Sequence, residues 1–187
     1  MKKKIFLFGR GNWALNYIRT IESDFNIKVT CIISKSGLRE FHQIPILIDI
    51  KEALKIFGKP DLIIVSTKTE DNLNILNDLD KTDCKIILEK PICQLSQLRK
   101  LNLKKNIISR ITVNHFHFYH ESFLSFLEGI KIDHIKYFII FDGGGYLKRS
   151  IDPLEDWGSH AFGLLYHLFS GIKFNYKKKS YKTDQFT

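Results

Sequence analysis

The feature that most constrains this chain is an alternation. Short, β-branched-rich apolar runs, "KKIFLF" (3–8), "IKVTCII" (27–33), "DLIIVS" (61–66), "CKIILE" (84–89) and "IISRITV" (107–113), are separated by amphipathic segments at 12–22, 50–57, 69–79 and 95–103. The runs lack strict apolar–polar alternation, as strands buried on both faces do. Strands of that kind joined through helices predict an α/β fold, a doubly wound parallel sheet with right-handed crossovers. "PILI" (45–48) reads as a short extra strand.

The pattern changes after about residue 113. "FLSFLEGI" predicts a helix ending at Gly129, and "HIKYFIIF" (134–141) a longer strand. Gly143 to Gly145 open a loop, and Asp156 to Ser170 form an apolar-rich helix closed by Gly171. "IKFNYK" (172–177) alternates as a strand. Residues 1–115 are therefore expected to be the doubly wound domain, and 116–187 a smaller α+β domain with a small open sheet.

Composition narrows the class. An apolar fraction of 44% with 13% aromatics is enough for a real core, which argues against a disordered chain. The net charge of +9 is spread widely, with runs only at Lys2–Lys4 and Lys177–Lys179. That balance suits an anionic small ligand, and without a dense basic stripe among exposed aromatics no nucleic acid is expected. Cys31, Cys84 and Cys93 lack CxxC spacing, and Cys31 and Cys84 fall in strand-like runs as small core residues. A reduced, soluble, cytoplasmic protein is the simple reading, since the apolar start "IFLF" is too short for a signal peptide or a membrane span.

"GRGNWA", Gly9 to Ala14, follows the first strand and opens the first helix. A dinucleotide site needs Gly9 for the tight turn, Gly11 so that backbone can approach the pyrophosphate, and a small Ala14 for helix–strand packing. The helix N-terminus then offers N–H groups and a positive dipole end to the phosphates. After the second strand the sequence reads "IISKSGLRE", with no acid until Glu40. Ser34, Lys35, Ser36 and Arg39 suit a ribose 2′-phosphate, so NADP is expected, with NAD as the second choice. "LEKPIC" closes the fifth run, and Pro91 holds Lys90 out of a helix at the carboxyl end of a parallel strand, where open α/β sheets bind ligands.

"DWGSHAFGLL" places Asp156 and His160 one helical turn apart. Taken alone, Asp156 reads as an N-cap and His160 as a partly buried core residue. "NHFHFYH" (114–120) puts His115 and His117 on one face if extended, with His120 close by. A metal site there is weighed below substrate contact and packing, because no cysteine joins the three. No metal is expected. Trp13 and Trp157 read as packing residues, with Trp157 near enough to the Asp156–His160 pair to line a pocket.

Together, "GRGNWA" after the first strand, "EKP" after the fifth and "DWGSH" opening a later helix resemble the Gfo/Idh/MocA oxidoreductases, the family of glucose–fructose oxidoreductase and inositol dehydrogenase. "GGGYLKRSIDPLEDWGSHAFGLLYHLFSG" is similar to that family's glycine-rich loop, D-x-G-x-H segment and following helix. The resemblance runs from residue 1 to about 175. It implies a Rossmann-type domain and a catalytic group of Lys90, Asp156 and His160 beside a nicotinamide. His160 would be the acid/base, Lys90 would polarise the reacting oxygen, and Asp156 would orient substrate or histidine. The candidate cofactor contacts are Gly9, Arg10, Gly11, Asn12, Trp13, Ala14, Ser34, Lys35, Arg39, Ser66, Thr67, Lys68 and Glu89.

Two departures from the family stand out. The fourth strand usually leads into a proline-containing turn with a histidine shortly after, where this chain reads "STKTEDNLNIL", with Lys68 and Asn72 in those regions. The family's broad second-domain sheet is represented by two clear strands, so a truncated C-terminal domain is expected, completed in a homo-oligomer. The expected activity is NADP-dependent interconversion of hydroxyl and carbonyl, or reduction of an imine, on a sugar, nucleotide-sugar or cyclic polyol. The alternative is a catalytically silent nucleotide-binding regulator or subunit, favoured by the shortened sheet and opposed by the three retained residues.

Overall fold

The computed structural model describes residues 2–24, 26–98, 102–129 and 158–169. The strands expected at 134–141 and 172–177, the Gly143–Gly145 loop, Asp156 and Trp157 lie outside the described residues.

β1 (Lys3–Phe8), α1 (Asn12–Glu22) and β2 (Ile27–Ile33) form the first strand–helix–strand unit. β3 (Glu40–Phe41) and β4 (Ile44–Leu47) make a small hairpin, followed by α2 (Ile50–Phe57). β5 (Leu62–Val65), α3 (Thr69–Asp78) and a 3₁₀ turn (Leu79–Lys81) lead into β6 (Lys85–Glu89). Two short helices, α4 (Leu95–Leu98) and α5 (Lys105–Ile108), precede β7 (Ile111–Asn114). A 3₁₀ turn (Phe116–Tyr119), α6 (Glu121–Gly129) and α7 (Gly158–Leu168) complete the described elements.

The strands form one seven-stranded sheet in the order β3-β4-β2-β1-β5-β6-β7. Every neighbouring pair is parallel except β3–β4. The expected Rossmann-type doubly wound sheet is therefore present. Its order reverses at β1, whose two neighbours are β2 and β5, and such a switch point opens a crevice beyond the carboxyl ends of the strands.

The β1 side chains show why the runs are apolar without a break. Phe6 and Phe8 enter one core layer with Cys31, Ile33, Ile63, Val65, Leu76 and Leu88. Ile5 and Leu7 enter the other, with Ala14, Ile18, Ile21, Ile32 and Ile64. Successive side chains point to opposite faces, so a strand covered on both must be apolar at every position. All three cysteines are buried, and burial pushes the Cys31 thiol up to about 12.

Several boundaries move from the sequence reading. The run 107–113 is not one strand: Lys105–Ile108 is a helical turn, and the strand is Ile111–Asn114. Ile107 is apolar because it caps the core from that turn. The segment 95–103 is helical only over Leu95–Leu98 among the described residues. β3 was not anticipated. His42 and Gln43 both take positive φ, at 52° and 60°, which is the backbone of a tight primed hairpin turn without the glycine that usually signals one. Among the described residues no helix is long and apolar enough to cross a membrane.

Candidate active site

The loops that follow β1, β2, β5, β6 and β7 all leave from the same carboxyl edge of the parallel sheet. Gly9 begins the first of them at φ +96°, a region costly for any other residue. A β-carbon there would lie 2.2 Å from the Ser66 carbonyl oxygen, so the turn after β1 packs directly on the one after β5. Gly9 N–H donates to the Ile33 carbonyl at 3.2 Å, and Ser66 N–H donates to that of Phe8 at 2.9 Å. These bonds fix the turn against both neighbouring strands.

Gly11 is the N-cap of α1 and supplies no side-chain hydrogen bond to the helix. A β-carbon added at Gly11 would meet nothing within 4 Å, so the space above the first turn is open. Open space over uncapped N–H groups is what a pyrophosphate requires. Arg10, Asn12 and Trp13 are exposed around it, while Ala14 is fully buried, as the third position of such a motif must be. The residues present thus fit the phosphate end of a dinucleotide.

After β2, Lys35 and Arg39 are exposed and Ser34 is half-buried, its N–H donating to the Leu47 carbonyl at 2.9 Å. The Ser36 hydroxyl is buried without a hydrogen-bond partner in the structure, an orphan of the kind that a bound polar group relieves. After β5, Ser66 is buried, Thr67 half-buried and Lys68 exposed. Asn72 is the residue that the sequence left without a role. It is 2% exposed, accepts from the Thr67 hydroxyl at 2.8 Å and donates to the Pro91 carbonyl at 3.1 Å. It therefore ties the β5 loop to the "EKP" turn, where the Lys90–Pro91 peptide is cis.

Glu89, expected among the cofactor contacts, is buried and turned into the fold. Its Oε1 accepts from the Tyr17 hydroxyl at 2.5 Å and from Asn114 Nδ2 at 2.7 Å, and the same Asn114 nitrogen lies 2.8 Å from the Tyr17 oxygen. Tyr17 comes from α1, Glu89 from β6 and Asn114 from β7. Burial, and then the adjacent carboxylate, hold the Tyr17 hydroxyl well above the usual phenol range, so it remains a proton donor. Sequence reasoning missed Tyr17 and Asn114. The available signal was a polar residue on the inward stripe of α1, at 17 between Ala14, Ile18 and Ile21.

Lys90 is half-buried just beyond the last β6–β7 register pair, Glu89 with Asn114. His115 takes the equivalent place on β7, so the two residues leave neighbouring strands at the same level. His160, on the first turn of α7, is 6% exposed and packs against that point. Its Nδ1 lies 3.5 Å from His115 Nδ1, and its ring stands edge-on to Phe116 at 5.7 Å between centroids. Phe116 in turn lies 6.5 Å from the ring of Trp13, which connects the glycine turn to the histidine. Asp156, the third member of the expected group, lies outside the described residues. Among the described residues, no group of three or more His, Cys, Asp or Glu is placed to hold a metal ion.

The fold is shared in outline with solved proteins. No protein-family model matches the chain, and no curated protein matches it. In three dimensions it is similar to an NAD-binding protein from Listeria innocua, with a TM-score of 0.62, 14% identity, and coverage of 91% of this chain and 56% of that one. It is also similar to myo-inositol dehydrogenase from Corynebacterium glutamicum (TM-score 0.56, 17% identity, 68% of this chain and 40% of that one). A third is scyllo-inositol dehydrogenase from Lactobacillus casei with bound NAD(H) and scyllo-inositol (TM-score 0.55, 11% identity, 68% and 40%). The chain spans between 38% and 57% of the length of eight solved structures that it matches.

Proposed function

We propose that this chain binds a nicotinamide dinucleotide and catalyses hydride transfer on a sugar, nucleotide-sugar or cyclic polyol, interconverting hydroxyl and carbonyl or reducing a related imine. One observation carries the reading: His160, on a distant helix, is buried against the carboxyl end of β7, beside the strand that delivers Lys90. The fold likeness to inositol dehydrogenases supports the same substrate class.

When bound, the nicotinamide supplies the hydride acceptor or donor at its ring carbon. The residues of this chain do the rest. Backbone from Gly9 to Asn12 and the start of α1 hold the phosphates. Lys90 polarises the substrate oxygen, and His160 takes the hydroxyl proton on oxidation or returns it on reduction. Asp156 orients substrate or histidine. Ser34, Ser36, Lys35 and Arg39 favour the 2′-phosphate of NADP, because two cations and two hydroxyls stand where an NAD site carries an acid.

Titration with NADPH and NADH tests the cofactor, with NADPH expected to bind about tenfold more tightly. Failure of both to bind removes the proposal. Turnover on a panel of polyols and sugars tests the chemistry, and His160→Ala is expected to lower kcat by about 10²–10⁴ while leaving cofactor affinity within threefold. Cofactor binding with no turnover on any substrate would favour a silent nucleotide-binding subunit instead.

A further inference from the structure

We infer that Asn72 is a positioning residue that takes up the one hydroxyl proton of Thr67. Thr67 Oγ1 then meets a ligand only as an acceptor, and selects an O–H or N–H donor in the nicotinamide half of the cofactor. This role rests on the chain's binding a nicotinamide dinucleotide, as proposed above.

The hydrogen-bond chain has one fixed end. A carbonyl oxygen can only accept, so the Pro91 carbonyl must face the NH₂ group of Asn72, at 3.1 Å. With the amide turned the other way, two oxygens would meet there with no proton between them. Asn72 Oδ1 is thereby turned to Thr67, whose hydroxyl lies 2.8 Å away. Oδ1 carries lone pairs and no proton, so the Thr67 hydroxyl must donate. Asn72 is 2% exposed, and burial at that depth makes the direction of each bond count. Thr67 Oγ1 keeps only lone pairs for anything else.

The other branch of Thr67 holds the side chain in that orientation. Its Cγ2 lies 3.3 Å from where a β-carbon on Gly9 would stand, so the methyl group faces the glycine turn. A β-branched side chain has few χ1 states, and this one sets methyl on the turn and hydroxyl on Asn72. Thr67 stays half-buried in the loop that leaves β5 at the carboxyl edge.

Its place at the switch point selects the half of the ligand. β1 lies between β2 and β5. Ser34 to Arg39 follow β2 and the glycine turn follows β1, so a dinucleotide laid across the crevice brings its nicotinamide half to the β5 side. Pyrophosphate oxygens are acceptors and gain nothing from a hydroxyl whose proton is already committed. The matching donors in the nicotinamide half are the carboxamide NH₂ and the ribose hydroxyls.

The test is the binding of four probes to the full chain and to Thr67→Val, which keeps the shape and removes the hydroxyl. NADP carries every donor. Nicotinic acid adenine dinucleotide phosphate has a carboxylate in place of the carboxamide, a third probe is NADP with a dideoxy nicotinamide ribose, and ADP lacks the nicotinamide half. Thr67→Val should weaken NADP about tenfold and leave ADP within about twofold, while Thr67→Ser stays within about threefold of the parent for both. One analogue should bind the parent and Thr67→Val alike: the carboxylate analogue if the donor is the amide, the dideoxy analogue if it is the ribose.

Asn72→Leu, checked for folding by circular dichroism, tests the positioning role. It should reduce the preference for NADP over ADP in the parent and leave that preference unchanged in the Thr67→Val chain. Independent, additive losses overturn the role of Asn72. An ADP loss in Thr67→Val equal to that of NADP puts the hydroxyl on phosphate and overturns the acceptor role. So does an equal loss for NADP and both analogues; with NADP still bound by the parent, the cofactor reading survives that result. No binding of NADP or NADPH to the parent takes both away.

Discussion

The two ends of the molecule are held together by different physics. α1 lies on the sheet through Ala14, Ile18 and Ile21, all buried in a layer with β1, β2 and β5 side chains. α7 buries only His160 and Leu168, and α6 buries no residue at all. His160 meets the rings of His115 and Phe116, and Phe118 carries the ring contacts on from His115 to His167. The glycine-turn end is therefore fixed by a packed core that tolerates little change. Among the described residues, the histidine end shows oriented ring contacts in place of a packed apolar layer.

That contrast is broken or sharpened first by paired truncations. Leu76, fully buried beside Phe6 and Val65, should cost about 3–5 kcal/mol of unfolding free energy as Leu76→Ala. Leu124, 45% exposed on α6, should cost less than about 1 kcal/mol as Leu124→Ala. Urea denaturation of the two variants reads the difference. Similar losses would mean that α6 shares the core's cooperativity, and the distinction between the two ends would be lost.

Gly9→Ala comes next. The added carbon would stand 2.2 Å from the Ser66 carbonyl oxygen, at a φ of +96°. Backbone on either side must shift, and the cost is about 2–3 kcal/mol. Because the displaced turn is the proposed phosphate cradle, NADPH affinity should fall at least about tenfold. Gly163→Ala provides the comparison at the histidine end: its nearest neighbour is a side-chain ring at 3.1 Å, which can give way. It should therefore spare cofactor affinity and disturb only the His115–His160 contact.

How much of this was legible follows from where each signal resides. Runs buried on both faces announce themselves residue by residue, which is why β1, β2, β5 and β6 were visible, and with them the loop ends that carry Gly9, Ser66 and Lys90. β7 was misplaced because Ile107 and Ile108 extend its apolar run while belonging to a helical turn. The β3–β4 hairpin was invisible because His42 and Gln43 adopt positive φ without glycine. Asn72, Tyr17 and Asn114 act across elements. Tyr17 pairs with Glu89 over a sequence distance that no local pattern reports. Likewise "NHFHFYH" showed that histidines were present, but only the placement of α7 shows that His115 meets His160.

The smallest effect tests the joint between the two ends. Tyr17 reaches from α1 to Glu89 at the end of β6, and Asn114 closes the triangle from β7. Tyr17→Phe removes the hydroxyl and leaves the Glu89 carboxylate with Asn114, at a cost of about 1 kcal/mol near neutral pH. The pH dependence gives the sharper reading. The folded state holds the phenol proton more tightly than an unfolded chain does, because burial and Glu89 both oppose ionisation. The stability from this group is thus complete below about pH 10, where an unfolded tyrosine ionises, and is lost as the pH rises above it. Unfolding measured between about pH 8 and 11 should show a steeper alkaline loss in the parent than in Tyr17→Phe, so that the gap between them narrows as pH rises. Parallel curves would mean that the hydroxyl is already solvated, and that among the described residues α1 is tied to the histidine end by the Trp13–Phe116 contact rather than by Tyr17.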